Sequence, residues 1–72
     1  MDSTIQKQII QEEIARYENT VYLWTIRVRI AKKIEDKTLE SNAMVELEKC
    51  EKSLDILREE LKSLDNDKIV NG

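Results

Sequence analysis

Residues 10–31, IQEEIARYENTVYLWTIRVRIA, carry the pattern that decides the fold. Apolar residues recur here at alternating steps of four and three, which places them along one side of an α-helix. The stretch also holds the only Trp and both Tyr residues of the chain. It therefore predicts a long helix that packs through one side. We call this line the first seam, and it consists of Ile10, Ile14, Tyr17, Val21, Trp24, Val28 and Ala31.

A second line with the same spacing begins at Ala43, out of phase with the first. Between the two lies a polar stretch, EDKTLESN at residues 35–42, which is rich in residues that cap helices and form turns. Two apolar lines separated by a polar joint predict an all-α, antiparallel helical hairpin of coiled-coil type. The second seam consists of Ala43, Leu47, Cys50, Leu54, Leu57, Leu61 and Leu64.

The chain length of 72 residues predicts a single domain, residues 1–72. Closing the hairpin on its two seams places Ile10 opposite Leu64 and Trp24 opposite Cys50. The same register brings Glu18 toward Arg58 and Arg27 toward Glu46, although registers shifted by half a turn also align apolar layers. The predicted boundaries are helix 1 about 3–35, a turn about 36–38, helix 2 about 39–65 and a frayed tail at 66–72.

Two other readings of the pattern compete with the hairpin. Residues 20–30, TVYLWTIRVRI, are β-branched and aromatic and partly alternate polar with apolar, as a strand would. The chain could also form one continuous helix of about 100 Å at 1.5 Å per residue. The hairpin is favoured because the seam crosses residues 20–30 without a change of phase and then breaks at the polar joint.

Composition excludes several classes of site. The chain has one Cys, no His, no Pro and a single Gly at its end, so it offers no intrachain disulfide, zinc site or glycine-rich phosphate loop. We therefore expect no catalysis, no metal, no cofactor and no small-molecule substrate. No apolar run is long enough for a membrane span. The net charge of −3 resides entirely in residues 37–72.

Helix 1 carries a second apolar stripe that one partner helix cannot cover. The stripe predicts an interface, and its most direct use is a homodimer that forms a four-helix bundle. Alternatively, it docks a different protein. An antiparallel pair of first helices centred near Thr20 would also bring Glu13 of one chain to Arg27 of the other. The stripe consists of Ile5, Ile9, Leu23, Ile26, Ile30 and Ile34.

A basic strip with one aromatic residue near the end of helix 1 is a candidate nucleic-acid surface, since cations hold phosphates and an aromatic ring stacks a base. Alternatively, these residues form only a solvated cationic helix end, which suits the helix dipole. A short dimerising hairpin resembles, in outline only, the Rop-type RNA-binding bundles of plasmid copy control. The residues are Tyr22, Arg27, Arg29, Lys32 and Lys33.

These observations predict a non-catalytic protein–protein interaction module. We expect a small homo-oligomeric regulator, adaptor or inhibitor that acts by binding another protein, of a kind frequent among phage and plasmid accessory proteins. The alternative is a Rop-like RNA- or DNA-binding bundle that uses the basic strip. The expected location is the cytoplasm, or the host-cell cytoplasm for a viral protein, with no membrane contact.

Overall fold

The structure, a computed structural model, describes the backbone from Ser3 to Asn71 and the side chains of residues 3–65. It contains two α-helices, α1 at Ser3–Lys33 and α2 at Lys37–Asn71, with 31 and 35 residues. The helices pack along each other in a rod whose Cα atoms extend over 55 × 16 × 14 Å. The predicted all-α antiparallel hairpin is thus confirmed.

Residues 20–30 lie in the middle of α1, so the predicted strand is wrong. The chain reverses between α1 and α2, so the single continuous helix is wrong as well. The β-branched threonines fit the helix because their hydroxyls reach the preceding turn. Thr25 Oγ1 donates to the carbonyl of Val21 at 2.8 Å, and Thr20 Oγ1 donates to that of Arg16 at 3.0 Å. Unbroken heptad phase therefore outweighs local β propensity.

The helix boundaries differ from the predicted ones at the turn and at the end of α2. The turn consists of residues 34–36 instead of 36–38, because α1 ends at Lys33 and α2 begins at Lys37. The second helix continues to Asn71, past the predicted end near residue 65, since no Pro or Gly interrupts it. The proposed fraying of the tail cannot be followed, because Gly72 and the side chains from residue 66 lie outside the described residues.

The turn is tight because backbone hydrogen bonds close the end of α1 in a Schellman motif. The N–H of Asp36 donates to the carbonyl of Ala31 at 3.0 Å, and the N–H of Glu35 donates to that of Lys32 at 3.2 Å. Glu35 has φ of 60°. The Asp36 carboxylate then caps α2 by accepting the N–H of Leu39 at 2.9 Å, and it belongs to the polar joint that was predicted to hold capping residues.

Replacing Glu35 with Gly is expected to stabilise the protein by roughly 0.5–1 kcal/mol. The left-handed conformation costs a residue with a Cβ about 1–2 kcal/mol, and the entropy that Gly loses on folding offsets part of this gain. Lys32→Gly, inside the same helix, should instead destabilise by about 1 kcal/mol. Urea unfolding followed by circular dichroism measures both. A destabilised Glu35→Gly variant would contradict the role given to this position.

The core is thin and follows the two seams. All seam residues are buried or partly buried, and the most buried are Ala31, Ala43 and Leu54, at 0%, 2% and 6% exposure. The two alanines lie near the turn, where their small side chains allow the helix backbones to approach closely. Ile10 and Leu64 line one shared depression at the open end of the hairpin, in agreement with the predicted register.

Candidate interaction surface

The two edges of the hairpin, where α1 meets α2, differ in chemistry. On one edge, Lys7 forms an ion pair with Asp65, and Arg58 donates to Glu18 at 3.2 Å, which confirms the predicted approach of Glu18 and Arg58. At 100° per residue, these side chains all lie on the same side of their seams. We call this edge the ion-pair flank. Its charges that face each other across the two helices, Lys7 with Asp65 and Arg58 with Glu18, are partnered within the chain.

The opposite edge, the apolar flank, exposes large hydrophobic side chains. The predicted stripe of α1 lies here, with Ile9 and Ile30 exposed by 52% and 50%. Ile26 departs from the stripe, because it is partly buried. Helix α2 contributes Leu39 and Val45 from across the turn. The apolar flank consists of Ile5, Ile9, Leu23, Ile30, Ile34, Leu39 and Val45.

A groove of about 540 Å³ opens on the apolar flank near the turn. It forms where the large ring of Trp24 lies beside the small side chain of Ala43. The guanidinium of Arg27 covers one side of the groove, with its carbon 4.6 Å from the centre of the Trp24 ring. This cation–π contact holds a positive charge at the rim of an apolar surface. The lining residues are Trp24, Arg27, Ile30, Leu39, Asn42, Ala43, Val45 and Glu46.

A smaller depression of about 320 Å³ lies on the same flank at the open end of the hairpin. It is lined by Gln6, Ile9, Ile10, Glu60 and Leu64. Ile9 stands at its edge and is half exposed. The apolar flank therefore has a groove beside the turn and, at the open end of the hairpin, a ridge. The ridge consists of Ile5 and Ile9 near the start of α1.

The predicted contact between Arg27 and Glu46 does not form as an ion pair. Both residues line the groove, but Arg27 stacks on Trp24 and Glu46 pairs with Lys49 at 3.7 Å. Contacts within one helix are local, and they therefore compete successfully with a contact across the hairpin. Within the described residues, Arg27 has no acidic partner.

The predicted ion pair of the dimer would join Glu13 of one chain to Arg27 of the other. Within one chain the two residues lie far apart on the same helix. Glu13 instead pairs with Arg16 at 3.3 Å, one turn away. Both partners are exposed to a substantial degree, and such surface pairs contribute little to stability. A second chain could therefore attract Glu13 at small cost.

The basic strip divides between two sides of α1. At 100° per residue, Tyr22, Arg29 and Lys33 share a face on the side of the ion-pair flank, whereas Arg27 lies on the apolar flank. Lys32 lines a depression at the turn together with Glu35, Lys37 and Glu40. The Tyr22 ring is 62% exposed. The sequence spacing thus groups residues that the helix separates.

Other chemistry has little support in the part of the chain that is described. No group of three or more acidic or Cys side chains is placed to hold a metal ion there. Cys50 is a free, partly buried thiol in the second seam. Neither helix, over its described residues, has an apolar stretch long enough to cross a bilayer.

Neither a protein-family model, nor a curated protein, nor a solved structure matches the chain. The exposed surfaces of the hairpin are therefore the basis for a proposed function.

Proposed function

We propose that the protein is a non-catalytic interaction module, a small homo-oligomeric regulator, adaptor or inhibitor that acts by binding another protein in the cytoplasm of a cell or of a viral host. One observation carries the proposal. The chain leaves several large hydrophobic side chains exposed on one flank, near the start of α1 and around the turn, while few of its described residues are completely buried. Exposed apolar patches of this kind mark association surfaces.

Burial of the apolar flank offers a large free energy relative to the stability of the fold. Full burial of an Ile or Leu side chain contributes about 1.5–3 kcal/mol, and each of these side chains is already about half covered. A domain of this length is stable by only roughly 4–11 kcal/mol, at about 0.05–0.15 kcal/mol per residue. Association through this flank would therefore affect both affinity and folding stability.

The outer face of α2 is the surface that we propose for a different protein. Glu51, Asp55 and Glu59 are exposed there and have no ion pair among the described residues. The C-terminal half of the chain also holds all of the net negative charge. Acidic faces attract basic protein surfaces and raise association rates. The expected partner is a protein with a basic patch.

A photo-reactive amino acid at position 55 tests this assignment inside the cells that express the protein. We expect one discrete adduct with another protein, lost when Glu51 and Glu59 are both changed to Lys. The matched control carries the same label at position 55 with Lys49 and Lys52 changed to Glu, which should keep the adduct. If no discrete adduct with another protein forms, the proposal of an acidic docking face is wrong.

Nucleic-acid binding is the second candidate, favoured by the shared face of Tyr22, Arg29 and Lys33. If it operates, fluorescence anisotropy of labelled RNA or DNA should show binding that falls steeply between 50 and 200 mM salt. An Arg29→Ala/Lys33→Ala double variant should abolish it, whereas Arg27→Ala should not. We expect no such binding. A steep salt dependence lost only in the double variant would favour the nucleic-acid function instead.

A further inference from the structure

We propose that the occupant of the apolar flank is a second copy of this chain, packed antiparallel, with its Ile9 side chain in the groove beside Trp24. This inference rests on the self-association included in the proposed function and adds the register and the contacts. Three features of the chain support it: its surface area, the positions of its isoleucines and the charge of Arg27, which has no ion-pair partner among the described residues.

The surface area of one chain leaves room for an interface of standard size. A compact folded monomer of 8.5 kDa has an accessible surface of about 4,650 Å², whereas this chain has 5677 Å². The excess of about 1,000 Å² is comparable with the roughly 800 Å² that each partner buries in a standard specific interface. Two rods lying side by side along their 55 Å length would remove this excess.

The isoleucines of the flank are symmetric about one point. The midpoint between Ile5 and Ile34 coincides with that between Ile9 and Ile30, and it lies between Asn19 and Thr20. A twofold axis at this point therefore brings the isoleucines near the start of one α1 onto those near the end of the other. Such an interface is self-complementary, as a dimer with twofold symmetry requires.

The groove fits this arrangement. Its volume of about 540 Å³ falls within the roughly 300–1,000 Å³ of sites that enclose small molecules, so it has room for branched side chains. Ile30 lines the groove, and the axis brings Ile9 of the second copy to Ile30. The ridge at the open end of each chain thus fills the groove beside the turn of the other.

The charges agree with the antiparallel direction. The axis places Glu13 of the second copy beside Arg27, which has no ion-pair partner among the described residues of its own chain. The Arg27 guanidinium can donate hydrogen bonds to this carboxylate while it stays stacked on Trp24. A parallel dimer would instead bring Arg27 against Arg27, and like charges this close repel each other.

Disulfide trapping tests the register. In a Cys50→Ser background, the Ile9→Cys/Ile30→Cys double variant should oxidise to a covalent dimer, whereas each single variant should not. In the antiparallel dimer, position 9 lies about 30 Å from position 9 of the second copy at 1.5 Å per residue, and a disulfide requires Cα atoms within about 7 Å. Cross-linking of the single variants would indicate a parallel dimer and overturn the inference.

Charge reversal provides an independent test that does not depend on a cross-link. Arg27→Glu should weaken dimerisation at least tenfold in sedimentation equilibrium, and adding Glu13→Arg in the same chain should restore most of it. Arg29→Glu is the matched control, with the same charge change away from the flank, and should keep the dimer. Circular dichroism confirms that each variant is helical. Equal dimerisation of all four proteins would overturn the register.

A measurement of the mass of the native particle distinguishes a failure of this inference from a failure of the proposed function. A particle of two chains that fails both tests would retain self-association but reject the register. A single-chain particle at all concentrations would reject the second copy as occupant, while the photo-labelling at position 55 still reports on the binding of another protein.

Discussion

Leu54→Ala is expected to lower the free energy of unfolding by about 2–5 kcal/mol, because it removes a buried side chain and leaves a cavity. Leu54 is 6% exposed and is the only large residue among the three buried residues of the described structure. The loss would be a large part of the total stability of a chain of 72 residues. Urea unfolding monitored by helicity is the measurement, and we expect a partly unfolded variant at 37 °C.

Ile56→Ala is the matched control for this change. Ile56 lies on the same helix, two residues further on, and is 64% exposed. Surface substitutions of this kind usually change stability by no more than about 0.5 kcal/mol. Similar losses for the two variants would contradict the assignment of Leu54 to the core and of Ile56 to the surface.

Ala31→Leu is expected to destabilise the hairpin by about 1–3 kcal/mol, because a larger side chain forces the two helices apart. Ala31 is 0% exposed, and its carbonyl also accepts the hydrogen bond that closes the turn. Widening the hairpin at this point therefore disturbs both the core and the turn. Urea unfolding gives the loss of stability, and a loss of intensity in near-ultraviolet circular dichroism reports on the packing around Trp24.

Ala15→Leu supplies the comparison, since Ala15 is an exposed residue of the same helix. Leu and Ala have similar helix propensities, so this variant should remain within about 0.5 kcal/mol of the parent. If Ala31→Leu were as stable as Ala15→Leu, the close approach of the helices near the turn would be refuted.

Local periodicity explains why much of the fold could be predicted. The first seam keeps its phase across residues 20–30, so the helix forms there in spite of the β-branched residues. The pairing of Glu18 with Arg58 follows from aligning the two seams, and the structure contains it. A cap for α2 was predictable as either Asp36 or Thr38, and the structure uses the Asp36 carboxylate.

The exact position of the turn could not be predicted, because no residue announces it. Schellman turns usually place Gly in the left-handed position, but here Glu35 occupies it. The sequence signals were the loss of apolar spacing and a cluster of capping residues, and both extend over several positions of residues 35–42. Hydrogen bonds to the carbonyls of Ala31 and Lys32 decide where the chain reverses.

The candidate surface was predictable only in part. The isoleucine stripe of α1 follows from spacing along one helix, and all but Ile26 of its members are exposed. The groove was missed, because it joins Ile30 to Leu39 and Val45 across the turn. Its one signal was the apolar character of Leu39 and Val45, which lie outside the second seam of α2.

The sequence by itself determined two helices and the side of each that packs, because helical periodicity assigns every residue to a face of its own helix. Only the tertiary structure decided which faces lie next to each other, since this depends on the rotation and offset of the two helices. Close packing at Ala31 and Ala43, together with the turn at Glu35, sets both. The result is one flank with its charges paired and one flank with an apolar groove under Arg27.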